Sequence, residues 1–145
     1  MGIFTAIREK PTDRVARATL SLPLLIAAGE GRPAGAELTR VSNICAYSPV
    51  FQAIGPARTH EIALDLLEQL EEKGKAALLA RARRALPPKL RETALCLAIR
   101  TALAEGTLSD ADYVTIKAMA QEMEIPSDTV ARMFEVMAML QRAAA

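Results

Sequence analysis

Five carboxylates carry the first chemical suggestion in this chain. Glu30 and Glu105 each stand directly before a glycine, Gly31 and Gly106. Each of these turns is followed by an acid where the next helix should open: Glu37 after the first, Asp110 and Asp112 after the second. Ionised carboxylates are the hard oxygen ligands that calcium and magnesium prefer, and a glycine next to an acid lets the backbone turn so that carbonyls can join them. The second turn offers three acids and the first only two, fewer than the alternating oxygen ligands of an EF-hand loop. A cation site therefore requires the two turns to face each other and pool their ligands, and calcium, magnesium and zinc are the ions to test. A competing reading is purely structural. Glu37, Asp110 and Asp112 would stabilise the positive ends of helices, while Glu30 and Glu105 sit solvated beside helix-stopping glycines. A third reading gives the acids to protein docking.

The elements that must position these acids nearly repeat. The segments IAAGEGRPAGAE and TALAEGTLSDAD align without a gap at an offset of 75 residues. At that offset Leu20 meets Leu95, Leu24 meets Ile99, Val41 meets Ile116 and Ile44 meets Met119. Each unit, about 15–47 and 90–123, reads as an apolar helix, a Glu-Gly turn and a second helix that begins near an acid. Packing explains repeated apolar positions; it does not require a repeated acidic corner.

Apolar spacings of three and four predict about seven helices in one all-α bundle. A flexible segment, 1–12, precedes a helical domain over 13–142. Asp13 is the expected cap of a central helix to Ala28, which Pro23 should bend or divide because proline lacks the amide and crowds the preceding turn. A second helix spans about Ala34 to Tyr47, and a short piece follows near Val50 to Ile54. Helices from Pro56 to Lys73, from Lys75 to Leu86 and from Pro88 to Ala104 come next, the last of them a second central helix. Ser109 and Ser127 are the expected caps of the final two.

Composition narrows the function classes. The chain has 145 residues, 51% of them apolar, a net charge of +1, no Trp and 3% aromatics. One compact domain is the default at this size, and neither an overall field nor stacking platforms point to nucleic acid. Cys45 and Cys96 occupy apolar helical positions, as expected of reduced thiols in a cytoplasmic protein. The uncharged stretch from Ala18 to Gly29 is too short to span a bilayer and is not framed as a signal peptide. No G-x-S-x-G, phosphate-cradling loop, H-E-x-x-H or Cys with a plausible base is present, so the expectation is a protein that is not an enzyme. His60 has only Glu61 beside it and no ligand set.

Two further features invite partners. Lys73, Lys75, Arg81, Arg83, Arg84, Lys89 and Arg91 run uninterrupted by acid, so Arg81, Arg83 and Arg84 become candidates for docking an acidic protein surface or phospholipid headgroups. The alternative is a solvated face balanced by neighbouring acids. Met119, Met123, Met133, Met137 and Met139 lie on the last two helices, as core filler or as a docking surface.

With these residues in view, the chain resembles the tellurite-resistance TerB family of all-helical single domains. The resemblance spans about Ala18 to Phe134 and rests on an apolar helix ending in Ala-Asp-Gly, a short turn and an acid opening the next helix. Here the Asp is replaced by Glu30 and Glu105, and Gly35 stands where the second copy has Asp110. The resemblance implies a part in bacterial tellurite resistance and stress response, with other resistance proteins as partners at the inner membrane, and with a divalent ion at the acidic turns.

Overall fold

A computed structural model describes residues 9–29, 31, 33, 35–104 and 106–144. The described residues form eight helices: α1 (Pro11–Ala28), α2 (Gly35–Cys45), α3 (Pro49–Gln52), α4 (Pro56–Lys73), α5 (Lys75–Ala85), α6 (Pro88–Leu103), α7 (Asp110–Glu122) and α8 (Ser127–Leu140). The one beyond the expected seven is α3, the short piece after α2, which closes as a single turn of helix. Four of the eight prolines, Pro11, Pro49, Pro56 and Pro88, stand at helix starts. There the fixed φ is already helical and the missing amide has no acceptor to lose.

The centre of the bundle is α1 against α6, with α5 also packed on α1. Every residue of α1 from Ala16 to Ile26 is buried. That burial explains why Pro23 does not divide the helix, the second of the two outcomes expected for it. A mid-helix proline costs about 3 kcal/mol, whereas fully burying each leucine contributes roughly 1.5–3 kcal/mol. Leu20, Leu22, Leu24 and Leu25 are all within 2% of complete burial. The helix also starts earlier than expected, at Pro11 after Lys10. Asp13 therefore lies inside the first turn, where its carboxylate accepts from Arg58 Nε at 3.1 Å. Ser109 caps α7 as expected, its Oγ accepting from the Asp112 amide at 3.1 Å. Ser127 does not cap α8; it is the first helical residue, after Pro126.

Burial follows the 75-residue offset at Leu20 and Leu95, at Leu24 and Ile99, and at Val41 and Ile116, while Ile44 is only half-buried where Met119 is buried. The corners are alike in one hydrogen bond: the Gly31 amide donates to Ala28 O at 2.8 Å, and the Gly106 amide to Leu103 O at 2.9 Å. They differ in where the chain takes its left-handed step. In the first corner Gly29 has φ 52°; in the second Gly106 has φ 114°. The position aligned with Gly29 is Ala104, which is right-handed with φ −59°.

Among the described residues no helix is long and apolar enough to cross a membrane.

Candidate functional site

The helices that flank the two corners border one cleft. A cleft of about 270 Å³ is lined by Ile26 and Ala27 at the end of α1, Glu37 and Arg40 on α2, Thr101 and Ala102 on α6, and Thr107, Ser109 and Asp112 from the second corner and α7. Three of these pairs, Ile26 with Thr101, Ala27 with Ala102 and Glu37 with Asp112, are related by the 75-residue offset. The close packing of α1 on α6 brings their C-terminal ends together, and each short turn then returns the chain so that α2 and α7 start beside the same seam. Glu37 is exposed and Asp112 half-buried, both in the first turn of their helices, where partial positive charge favours a carboxylate.

Of the five acids expected at the site, the structure places Glu37 and Asp112 in one cleft. Asp110 is exposed at the first position of α7 and is not part of the lining. Glu30 and Glu105 lie outside the described residues. Among the described residues no three His, Cys, Asp or Glu side chains gather as a metal-holding group. The polar groups the cleft itself presents are two carboxylates, the hydroxyls of Thr101, Thr107 and Ser109, and the guanidinium of Arg40. The oxygen atoms among these groups suit calcium or magnesium, and the imidazole and thiolate ligands typical of zinc are absent from the lining, while the Arg40 guanidinium opposes any cation. The first corner is also braced from outside, because Lys75 Nζ donates to Gly29 O. That carbonyl is therefore already engaged by an ammonium group.

Sequence reasoning did not single out Arg40. Its signal was local: it stands three residues after Glu37, so the two share a helix face. With Glu37 and Asp112 it leaves one net negative charge on the described walls.

The basic run divides on inspection. Arg83 is already engaged within the fold, although its side chain is partly exposed: its Nη2 donates to Glu124 Oε1 at 2.8 Å. This hydrogen bond, and then the charge of Arg83, hold the Glu124 carboxyl below the usual range, while the same contact raises the Arg83 guanidinium. Arg91 donates to Leu86 O at 2.9 Å, Arg83 O at 3.0 Å and Met123 O at 3.3 Å. It thereby ties the end of α5 and the end of α7 to α6. Arg81 donates to Gln69 Oε1 at 2.7 Å, and Arg84 is exposed.

Cys45 is buried and Cys96 half-buried, both free; burial pushes the Cys45 thiol up to about 12, and burial together with Glu92 raises Cys96. His60 is exposed. Met119, Met123 and Met133 are buried in the core, Met137 is half-buried and Met139 is exposed.

What fold and site define together is an all-helical bundle with an acid from each of two similar corners in one cleft. Neither a family model, nor a curated protein, nor a solved structure matches the chain.

Proposed function

We propose that this protein works by binding rather than by chemistry, and that the cleft between its corners weakly holds a divalent cation, calcium or magnesium. One observation carries the reading: Glu37 and Asp112, from separate helices and equivalent places in the repeat, line the same cleft. An ion between them would offset the repulsion of two carboxylates held at one seam. Arg40 in the same wall already offsets part of it, which is why the affinity is weak. The resemblance of both corners to the TerB signature extends the proposal to a part in bacterial tellurite resistance and stress response, beside other resistance proteins at the inner membrane.

The test is thermal stabilisation of the metal-stripped protein by calcium and by magnesium. A ligand that binds only the folded state at ten times its dissociation constant adds about 1.4 kcal/mol. Wild type should melt higher as the ion is raised through millimolar concentration, and Glu37→Gln with Asp112→Asn should abolish the shift. An equal response in the double variant would remove the cleft from the account.

A metal-free reading as a protein-docking domain has its own observation. Tyr113, Val114, Val136, Met139 and Leu140 are exposed apolar side chains on α7 and α8. That reading predicts no cation effect, and loss of partner capture when Val114 and Leu140 are made polar.

A further inference from the structure

A second cleft, of about 550 Å³, opens between α1, α4 and α5 and shares no lining residue with the first. Its size lies within the roughly 300–1,000 Å³ of small-molecule sites. Five of its lining side chains are cationic, namely Arg14, Arg17, Lys73, Arg81 and Arg84, and two are anionic, Glu9 and Asp65.

Both anions are engaged by one cation. Arg17, whose side chain is 9% exposed, donates from Nε to Glu9 Oε2 at 2.8 Å and from Nη1 to Asp65 Oδ2. Asp65 Oδ2 also accepts from Gln69 Nε2 at 2.8 Å, and Gln69 Oε1 in turn holds Arg81 Nη1 at 2.7 Å. This chain of contacts orients the Arg81 guanidinium on the cleft wall while using one of its five donors. The side chains of Arg14, Lys73 and Arg84 are exposed and make no hydrogen bond or ion pair with a described residue.

Fold stability explains only part of this gathering. Lys73 and Arg84 stand in the last turns of α4 and α5, where the helix dipole favours a cation. Arg14 stands in the first turns of α1, at the positive end, where the same dipole opposes it. Four cations thus rim a cleft whose floor includes Leu66, Leu78 and Ala82, and low-dielectric walls concentrate their field on whatever enters.

The geometry points to a site for a small organic phosphate, its phosphate group held by Arg14, Arg81, Arg84 and Lys73 and its apolar body lying over Leu66 and Leu78. Guanidinium groups match phosphate oxygens in pairs, and the apolar floor selects against inorganic phosphate. Two sources share this chemistry, a soluble nucleotide-like phosphate and an anionic lipid.

The experiment titrates the full-length protein with AMP for the soluble source and with dihexanoylphosphatidic acid for the lipid source, followed by amide chemical shifts. The expected result is saturation by at least one probe with a dissociation constant below about 1 mM. Lys73→Gln with Arg84→Gln should weaken that binding about tenfold or more, since each charged hydrogen bond contributes at least that much. Both residues are exposed and unpaired among the described residues, so the double variant should lose only their favourable helix-end charges, a fall in melting temperature of no more than about 7 °C, and Arg14→Gln alone should weaken the same probe. The proposal is overturned if neither probe saturates by about 5 mM, or if the double variant binds within about twofold of wild type.

Discussion

Replacing Arg91 by Met should destabilise the fold by an amount the structure sets. The Arg91 guanidinium donates to three carbonyls, Leu86 O, Arg83 O and Met123 O, and reaches Glu124 Oε1 at 3.4 Å. A hydrogen bond to a charged group contributes about 1.5–3 kcal/mol, so three give an upper limit of roughly 4.5–9 kcal/mol. Two corrections lower it. The side chain is 18% exposed and Glu124 is 62% exposed, so water reaches the vacated carbonyls, and the solvent-screened ion pair adds little. Met also retains the packing of the aliphatic stem. The expected loss is about 2–4 kcal/mol. At roughly 2.1 cal/mol/K per residue, a chain of 145 residues should melt about 7–13 °C lower. Urea denaturation at neutral pH measures the loss, with Arg84→Met as the control expected within about 0.5 kcal/mol of wild type. An Arg91→Met protein as stable as wild type, or an Arg84→Met protein equally weakened, would refute the division of the basic run into fastening and exposed cations.

Ser109→Ala removes the cap of α7 and should cost about 1 kcal/mol, read as a fall of roughly 3 °C in melting temperature; Ser127→Ala, with no capping bond to lose, should leave it unchanged. With its thiol pushed up to about 12, Cys45 should be thiolate in roughly one molecule in ten thousand at about pH 8, so it should resist an aromatic disulfide reagent until urea unfolds the chain; rapid labelling of the native protein at Cys45 would contradict its burial. Because Arg83 holds the Glu124 carboxyl low, the stabilisation from that pair is present above the ordinary Glu range and disappears as pH falls through the depressed value. The gap in urea midpoint between wild type and Glu124→Gln should therefore be widest near neutrality and close at low pH. A gap that is constant with pH would dissociate Glu124 from that pair.

Helix positions were legible where their signals are local: proline opens α4 and α6, and Gly74 separates α4 from α5, whereas the starts of α1 and α3 at Pro11 and Pro49 fell just before the expected ones. The apolar positions shared by the two units were legible for the same reason, since helical spacing puts Leu20 and Leu24, or Leu95 and Ile99, on one buried face. The uninterrupted course of α1 through Pro23 was not, because it depends on burial by other helices, which periodicity does not measure. Arg83 and Arg84 are adjacent in sequence and about 100° apart around their helix, yet only the position of Glu124, 41 residues away, decides which is fastened. Arg17 did leave a trace, as the one charge between Val15 and Ile26; a lone arginine in so apolar a stretch needs buried acidic partners. The repeat made the meeting of Glu37 with Asp112 a condition for a shared site, and only the fold supplied it, together with the guanidinium of Arg40 beside them.

Isothermal titration of calcium or magnesium into the metal-stripped full-length protein tests the shared cleft most directly, because stoichiometry separates pooled ligands from independent ones. The account predicts weak saturable heat with about one ion per chain, lost when Glu37 and Asp112 are neutralised together. Flat traces for both ions at millimolar concentration, or two equivalent ions per chain, would contradict it.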